Sequence, residues 1–164
     1  MNKLISSMVV MAVCAVLSGG AYATTQTATL NVSVTAVPAC AMTVTGIIFP
    51  NYYGLEVNAN GDVTVTCPVS ISYQIALNAG QTNPIPASIR SVSNGSPTGI
   101  AYDLFQDGAY GIQWGDDFLT FMASPLVDTG DGNAQTHTVY GRMFGGSVPT
   151  PGVYTDTVMV TLSW

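Results

Sequence analysis

Past residue 23 the chain contains no lysine. Lys3 is the only one in the 164 residues, and Arg90 and Arg142 are the only other basic side chains, against nine carboxylates. A surface this poor in positive charge excludes nucleic acid as a partner, and the missing lysines exclude cross-linking through lysine isopeptide bonds. Histidine is nearly absent as well. His137 stands alone, flanked by Thr136 and Thr138, with no serine or cysteine motif to complete a nucleophilic triad. Asp116 and Asp117 are adjacent, so on a strand they point to opposite faces, and nothing sets a carboxylate pair at glycosidase spacing. The run Asp128-Thr129-Gly130-Asp131-Gly132-Asn133 departs from the alternating aspartates of a calcium loop. No catalytic residue, metal ligand or cofactor site is expected. Helical periodicity and internal repeats are missing too.

One short apolar run is present, and it lies at the start. Lys3 precedes the apolar or small residues Met8–Leu17, and Ala21-Tyr22-Ala23 follows as an A-x-A cleavage site. About ten apolar residues are too few to span a bilayer. Residues 1–23 therefore read as a signal peptide for export, cut after Ala23. The remaining 141 residues (164 − 23) carry a formal charge of −7, since removal of Lys3 takes one positive charge from −6. That length suffices for one domain with a full core. Cys14 leaves with the signal, so Cys40 and Cys67 form an even pair in an exported chain, which predicts a disulfide. Loop-closure entropy puts its contribution at roughly 3.5 kcal/mol.

Beyond that point the sequence is a succession of short alternating runs between Gly, Pro, Asn and Asp clusters, the pattern of an antiparallel β-sandwich. Ala28–Ala36 alternates Leu30, Val32 and Val34 with Thr29, Asn31, Ser33 and Thr35, until Pro38 ends it. The residues alone leave two readings for this run: a first strand of its own sandwich, or a strand given to a partner. Cys40–Phe49, Val63–Cys67 and Ile71–Leu77 are further strands, with Asn58–Asp62 expected as a turn. Gln81–Thr98 is expected as loop, with room for short edge strands. Ile100–Phe105 and Tyr110–Trp114 are expected to pair around Gln106–Ala109. An apolar patch, Phe118–Met122, lies in the irregular stretch from Gly115 to Asn133. Thr136–Phe144 is expected to pair with Val153–Trp164 across Gly145–Gly152. The last run places Tyr154, Val158, Val160, Leu162 and Trp164 on one parity and ends on an edge that needs a cover or a partner. Arg90 and Arg142 are expected in ion pairs, and Trp114, Tyr52 and Tyr53 in the core rather than against sugars.

The ordered set of motifs resembles the spore coat protein U domain family, whose members include subunits of archaic chaperone–usher pili. It comprises Cys40, F-P-N-Y-Y-G at Phe49–Gly54, V-T-V-T-C at Val63–Cys67, Arg90, Tyr102-Asp103-Leu104 and Trp114. V-Y-G-R at Val139–Arg142 and the block from Gly152 to Leu162 complete it. The resemblance implies an all-β, incomplete immunoglobulin-like sandwich, with residues 24–39 as donor-strand extension and linker and residues 40–164 as the pilin domain. It implies that Ala28, Leu30, Val32, Val34 and Ala36 enter a neighbour's groove, and that Tyr154, Val158, Val160, Leu162 and Trp164 line the chain's own groove. The partners it implies are a periplasmic chaperone, an outer-membrane usher and neighbouring subunits in a homo- or hetero-polymer. The destination is a surface fimbrium serving adhesion and biofilm formation. A coat protein of the same assembly type and a self-complete secreted carbohydrate-binding sandwich are the other readings.

Overall fold

The computed structural model describes residues 25–82, 89–95, 99–116, 123–146 and 148–164. The signal segment 1–23 and the whole Phe118–Met122 patch lie outside the described residues. The chain divides into two units, residues 1–35 and 36–164. In the first, residues 25–35 form no strand and every side chain is exposed, Leu30 by 87%, Val32 by 85% and Val34 by 92%. The alternating run 28–36 therefore has no ladder partner here.

The second unit is an all-β, antiparallel, immunoglobulin-like sandwich. Its strands are β1 (Ala41–Thr45), β2 (Val57–Thr66), β3 (Ser72–Leu77), β4 (Arg90–Val92), β5 (Ile100–Phe105), β6 (Leu126–Thr129), β7 (Ala134–Met143) and β8 (Val160–Ser163). One sheet has the order β1-β2-β7-β5-β4 and the other β6-β3-β8. Period-two alternation explains the packing, because successive side chains leave a strand on opposite faces. Val63 and Val65 of β2, Tyr73, Ile75 and Leu77 of β3, and Tyr102 and Leu104 of β5 turn inward into one buried cluster. The intervening threonines and serines stay at the surface or half-buried.

Four sequence expectations are corrected. Asn58–Asp62 is not a turn but the first half of β2, paired residue for residue with β7 from Val57↔Met143 to Thr66↔Ala134. The ten-residue partner overrides the poor strand propensity of N-A-N-G-D. Gly61 is needed there because a Cβ would come within 2.7 Å of the Thr45 carbonyl oxygen. Second, β7 and the C-terminal run do not pair with each other. β7 lies between β2 and β5, whereas β8 pairs with β3 in the other sheet, with Ile75↔Leu162 and Leu77↔Val160 in register. Third, the C-terminal run is a ladder strand only over Val160–Ser163; Thr155 makes an isolated bridge to Ser93. The Tyr110–Trp114 half of the expected hairpin is likewise reduced to single bridges, Phe105↔Gln113 and Trp114↔Ser124.

The two sheets are joined by a polar brace inside the core. Arg90, 6% exposed, reaches from β4 to donate from Nε to the Asn78 carbonyl (2.9 Å) and from Nη2 to the Leu77 and Trp114 carbonyls (both 2.9 Å). Its Nη1 meets Asp103 Oδ1 at 2.7 Å, and Gln113 donates to the other oxygen of that carboxylate. Trp114, fully buried, donates its indole N–H to the Ile75 carbonyl at 2.8 Å. Arg142 pairs with Glu56 at 3.3 Å and lies 4.1 Å over the Tyr110 ring.

Removing one member of a buried ion pair strands the other charge, at a cost of about 3–5 kcal/mol. Asp103→Ala is thus expected to lower the free energy of urea unfolding by that amount. Trypsin supplies a second readout, since after residue 23 it can cut only at Arg90 and Arg142. The variant should be cleaved at Arg90 under conditions in which the parent chain is intact.

Candidate functional site

The three-stranded sheet ends at β8, whose second edge has no ladder partner among the described residues. The chain leading into it, 153–159, is held from one side only. Thr155 and Ser93 exchange both backbone hydrogen bonds at 3.0 Å, the Thr157 carbonyl accepts from Gln81 N–H, and the Met159 carbonyl accepts from Asn78 N–H, both at 3.1 Å. Odd-numbered residues thus spend their backbone groups inward. Even-numbered ones point theirs the other way, because the two sides of a strand alternate.

Beneath this edge lies a cleft of about 910 Å³. One wall is the 153–158 segment with Val160, and the other is the stretch after β1 from Gly46 to Tyr53; Leu77, Val92, Ile100, Tyr102 and Leu104 are among its floor residues. The far wall is pinned by Tyr52, which donates its hydroxyl to the Phe144 carbonyl (2.9 Å), and by Gly146 N–H on the Gly54 carbonyl (3.0 Å). Phe49 stacks edge-on against Tyr102, their ring centroids 6.2 Å apart.

Of the residues expected to line a groove, Tyr154, Val158 and Val160 do line this cleft and are half-buried. Leu162 is half-buried against the core beyond it. Trp164 is 56% exposed, and its indole N–H is donated to the Pro38 carbonyl at 3.1 Å, at the opposite end of the domain's sequence. Cys40 and Cys67 form the expected disulfide, joining the start of β1 to the end of β2. The stretch holding Pro38 is therefore tied down twice, by the Trp164 hydrogen bond and by the neighbouring disulfide.

Sequence reading missed Asp156. It shares the parity of Tyr154 and Val158 and lines the cleft, and counting that parity without regard to hydrophobicity would have included it. Its Oδ1 accepts from Gln81 N–H (2.9 Å), Thr82 N–H (3.0 Å), the Thr82 hydroxyl (2.7 Å) and its neighbour Thr157 N–H (2.8 Å). Its Oδ2 accepts the Tyr102 hydroxyl at 2.7 Å. Gly80, at φ +87°, has a reason beyond its left-handed backbone: a Cβ would overlap Asp156 Oδ2. Burial pushes the Asp156 carboxyl up, but the hydrogen bonds from Tyr102, Thr82 and Thr157 outweigh it and hold the group below the usual carboxylate range. The same contact, added to burial, drives the Tyr102 phenol far above its ordinary value.

Other polar groups are structural. The Tyr73 hydroxyl lies 2.8 Å from His137 Nε2 and 3.4 Å from Asp128 Oδ2, and burial and then the Asp128 charge push the phenol up to about 12. Asp131 caps its own turn by accepting from Asn133 N–H at 2.8 Å. Among the described residues no three His, Cys, Asp or Glu side chains come together as a metal site.

The family model for the Spore Coat Protein U domain matches residues 26–161 of the chain. No curated protein matches it in sequence. Among solved structures, a chain of the chaperone–tip adhesion subunit pre-assembly complex of archaic chaperone–usher Csu pili from Acinetobacter baumannii shares the fold, with a TM-score of 0.60 and 18% identity. The match covers 79% of this chain and 40% of that one, so this chain spans less than half of the solved neighbour.

Losing the Tyr102 hydroxyl leaves Asp156 with one donor fewer, and Tyr102→Phe should cost about 1–2 kcal/mol in urea unfolding. The pH sign follows from the depressed carboxyl. Stability from Asp156 is complete above the ordinary carboxylate value of 3.8 and is lost as pH falls through its lower folded value. Hydrogen exchange at 153–159 should therefore accelerate below about pH 4, and Asp156→Asn should abolish that acid step.

Proposed function

The chain belongs to the Spore Coat Protein U domain family, and from that membership we propose that it is a non-enzymatic structural subunit of a chaperone–usher surface pilus. After export it is held by a periplasmic chaperone, passed to an outer-membrane usher and polymerised by donor-strand exchange with neighbouring subunits. The fibre then serves attachment and biofilm formation at the cell surface. One observation carries the reading: among the described residues, a sheet edge with no ladder partner lies over an apolar cleft in the same chain as an exposed, alternating segment at 28–36 that joins no strand.

The two deficits match in kind and in size. Strand addition takes main-chain ladder bonds for affinity and alternate side chains for pocket filling. The open edge from Val153 to Ser163 is about 36 Å long at ~3.3 Å per residue, long enough to take the 28–36 segment of about 30 Å. Leu30, Val32 and Val34 are the branched side chains on its inward parity, with Ala28 and Ala36 at its ends. Burying three such side chains contributes about 1.5–3 kcal/mol each before association costs are subtracted. A coat laid down by the same strand exchange shares these features. A self-complete carbohydrate-binding sandwich leaves both the open edge and the exposed segment without a purpose.

Expression of residues 24–164 in the periplasm, beside a version lacking 24–37, separates the readings. The longer chain should form SDS-resistant multimers and the shorter one should not. Two equally stable monomers on size-exclusion would replace donor-strand assembly with a monomeric secreted binding module.

A further inference from the structure

The acceptor row contains a charge where every other member is apolar. Read along the even parity, the open edge presents Tyr154, Asp156, Val158, Val160 and Leu162. Asp156 cannot turn away, because its two oxygens hold five hydrogen bonds and the space beside it is closed by Gly80. A branched side chain set against it covers a carboxylate without offering a donor, which is costly. An alanine leaves room for water to reach it. The incoming row Ala28, Leu30, Val32, Val34, Ala36 is small only at its two ends.

The direction of the incoming strand follows from a separate contact. Trp164 donates to the Pro38 carbonyl, so the far end of β8 lies at the pole where the chain's own N-terminal segment begins. Asp156 is eight residues away, toward the other pole, about 26 Å at ~3.3 Å per residue. A head-to-tail fibre needs the neighbour's domain at that other pole. The neighbour's residues 37–40, which lead into its domain, must therefore emerge beside Asp156 rather than beside Trp164. That orientation makes the added strand antiparallel to β8.

We propose that Asp156 is the register pin of the acceptor cleft: it admits the neighbour's Ala36 in an antiparallel strand, so that Val34 meets Val158, Val32 meets Val160 and Leu30 meets Leu162. Ala28 then falls opposite Trp164, whose own side chain is turned to the Pro38 carbonyl. The proposal rests on the donor-strand reading above and adds to it a register and the residue that sets it.

Cross-linking in the full chain reads the register directly. In this register Thr35 of one subunit lies opposite Thr157 of the next. The pair belongs to the non-hydrogen-bonded kind, with Cα atoms about 4.5 Å apart, within disulfide reach of about 4.4–6.8 Å. A chain carrying Thr35→Cys and Thr157→Cys should give a covalent ladder on a denaturing, non-reducing gel that collapses on reduction. The parallel alternative, with Ala28 at Asp156, instead brings Thr29 opposite Thr157. A ladder from Thr29→Cys with Thr157→Cys, and none from the first pair, overturns the proposal while leaving strand exchange intact. So does the absence of both ladders in a chain that still forms SDS-resistant multimers. Failure of the unmodified chain to form multimers removes the assembly reading, and the register with it. As a second measurement, Ala36→Leu should reduce multimer yield roughly tenfold or more; assembly at the parent level would show that Asp156 exerts no selection.

Discussion

The buried guanidinium of Arg90 is the contact through which the sandwich keeps its shape with one edge open. A complete sandwich is closed by ladders along both sheets, but here, among the described residues, the three-stranded sheet stops at β8. Arg90 instead fixes the end of β3 from within the core, through the Leu77 and Asn78 carbonyls. Asn78 then holds Met159 twice, by accepting its N–H on Oδ1 (2.8 Å) and by donating its own N–H to the Met159 carbonyl. Three residues further on, Gln81 and Thr82 grip Asp156. A single cation thus supports the turn after β3, and that turn supports the wall of the cleft. Burial pushes the Asp103 carboxyl upward, while the Leu104 amide and Arg90 oppose the shift. The brace is expensive to desolvate and is tolerated because every branch of the guanidinium finds an acceptor.

Much of this was legible in the sequence, and the losses have physical causes. The runs Ile71–Leu77 and Ile100–Phe105 alternate cleanly and appear as β3 and β5. The disulfide followed from two cysteines in an exported chain. Asn58–Asp62 was misread because its composition is that of a turn, whereas a ten-residue ladder to β7 decides its conformation. Long-range pairing also hid the true partner of the C-terminal run. Proximity in sequence favoured β7, but the sandwich assigns β7 and β8 to different sheets. Asp156 was passed over because a search for apolar alternation discards a charged residue on the right parity, and four of its five donors come from residues 81, 82 and 102, distant in sequence.

Along the 153–159 edge, polar bonds at the margins of the cleft do the work that ladder bonds do elsewhere. Backbone bonds from Ser93, Gln81 and Asn78, with side-chain bonds at Asn78 and Asp156, hold this half-finished edge in a strand-like path. Only Val160–Ser163 needs the regular ladder, and there β3 supplies it. The result is a pre-shaped edge, which would reduce the ordering cost of adding the proposed donor strand.

Both ends of the domain obey the same rule about apolar surface. Leu30, Val32 and Val34 are almost fully exposed, and Tyr154, Val158 and Val160 border an open cleft. Exposed apolar rows of this kind mark an interaction site or a liability, and an unpaired edge beside one makes the liability worse. Each deficit has the chemistry that cures the other, since alternating branched side chains need a groove and an open edge needs a strand. Trp164 and the Cys40–Cys67 disulfide anchor the root of the N-terminal segment at the pole away from Asp156. On the proposed donor-strand reading, a segment rooted at one pole and a cleft reaching toward the other favour a linear polymer over a closed pair.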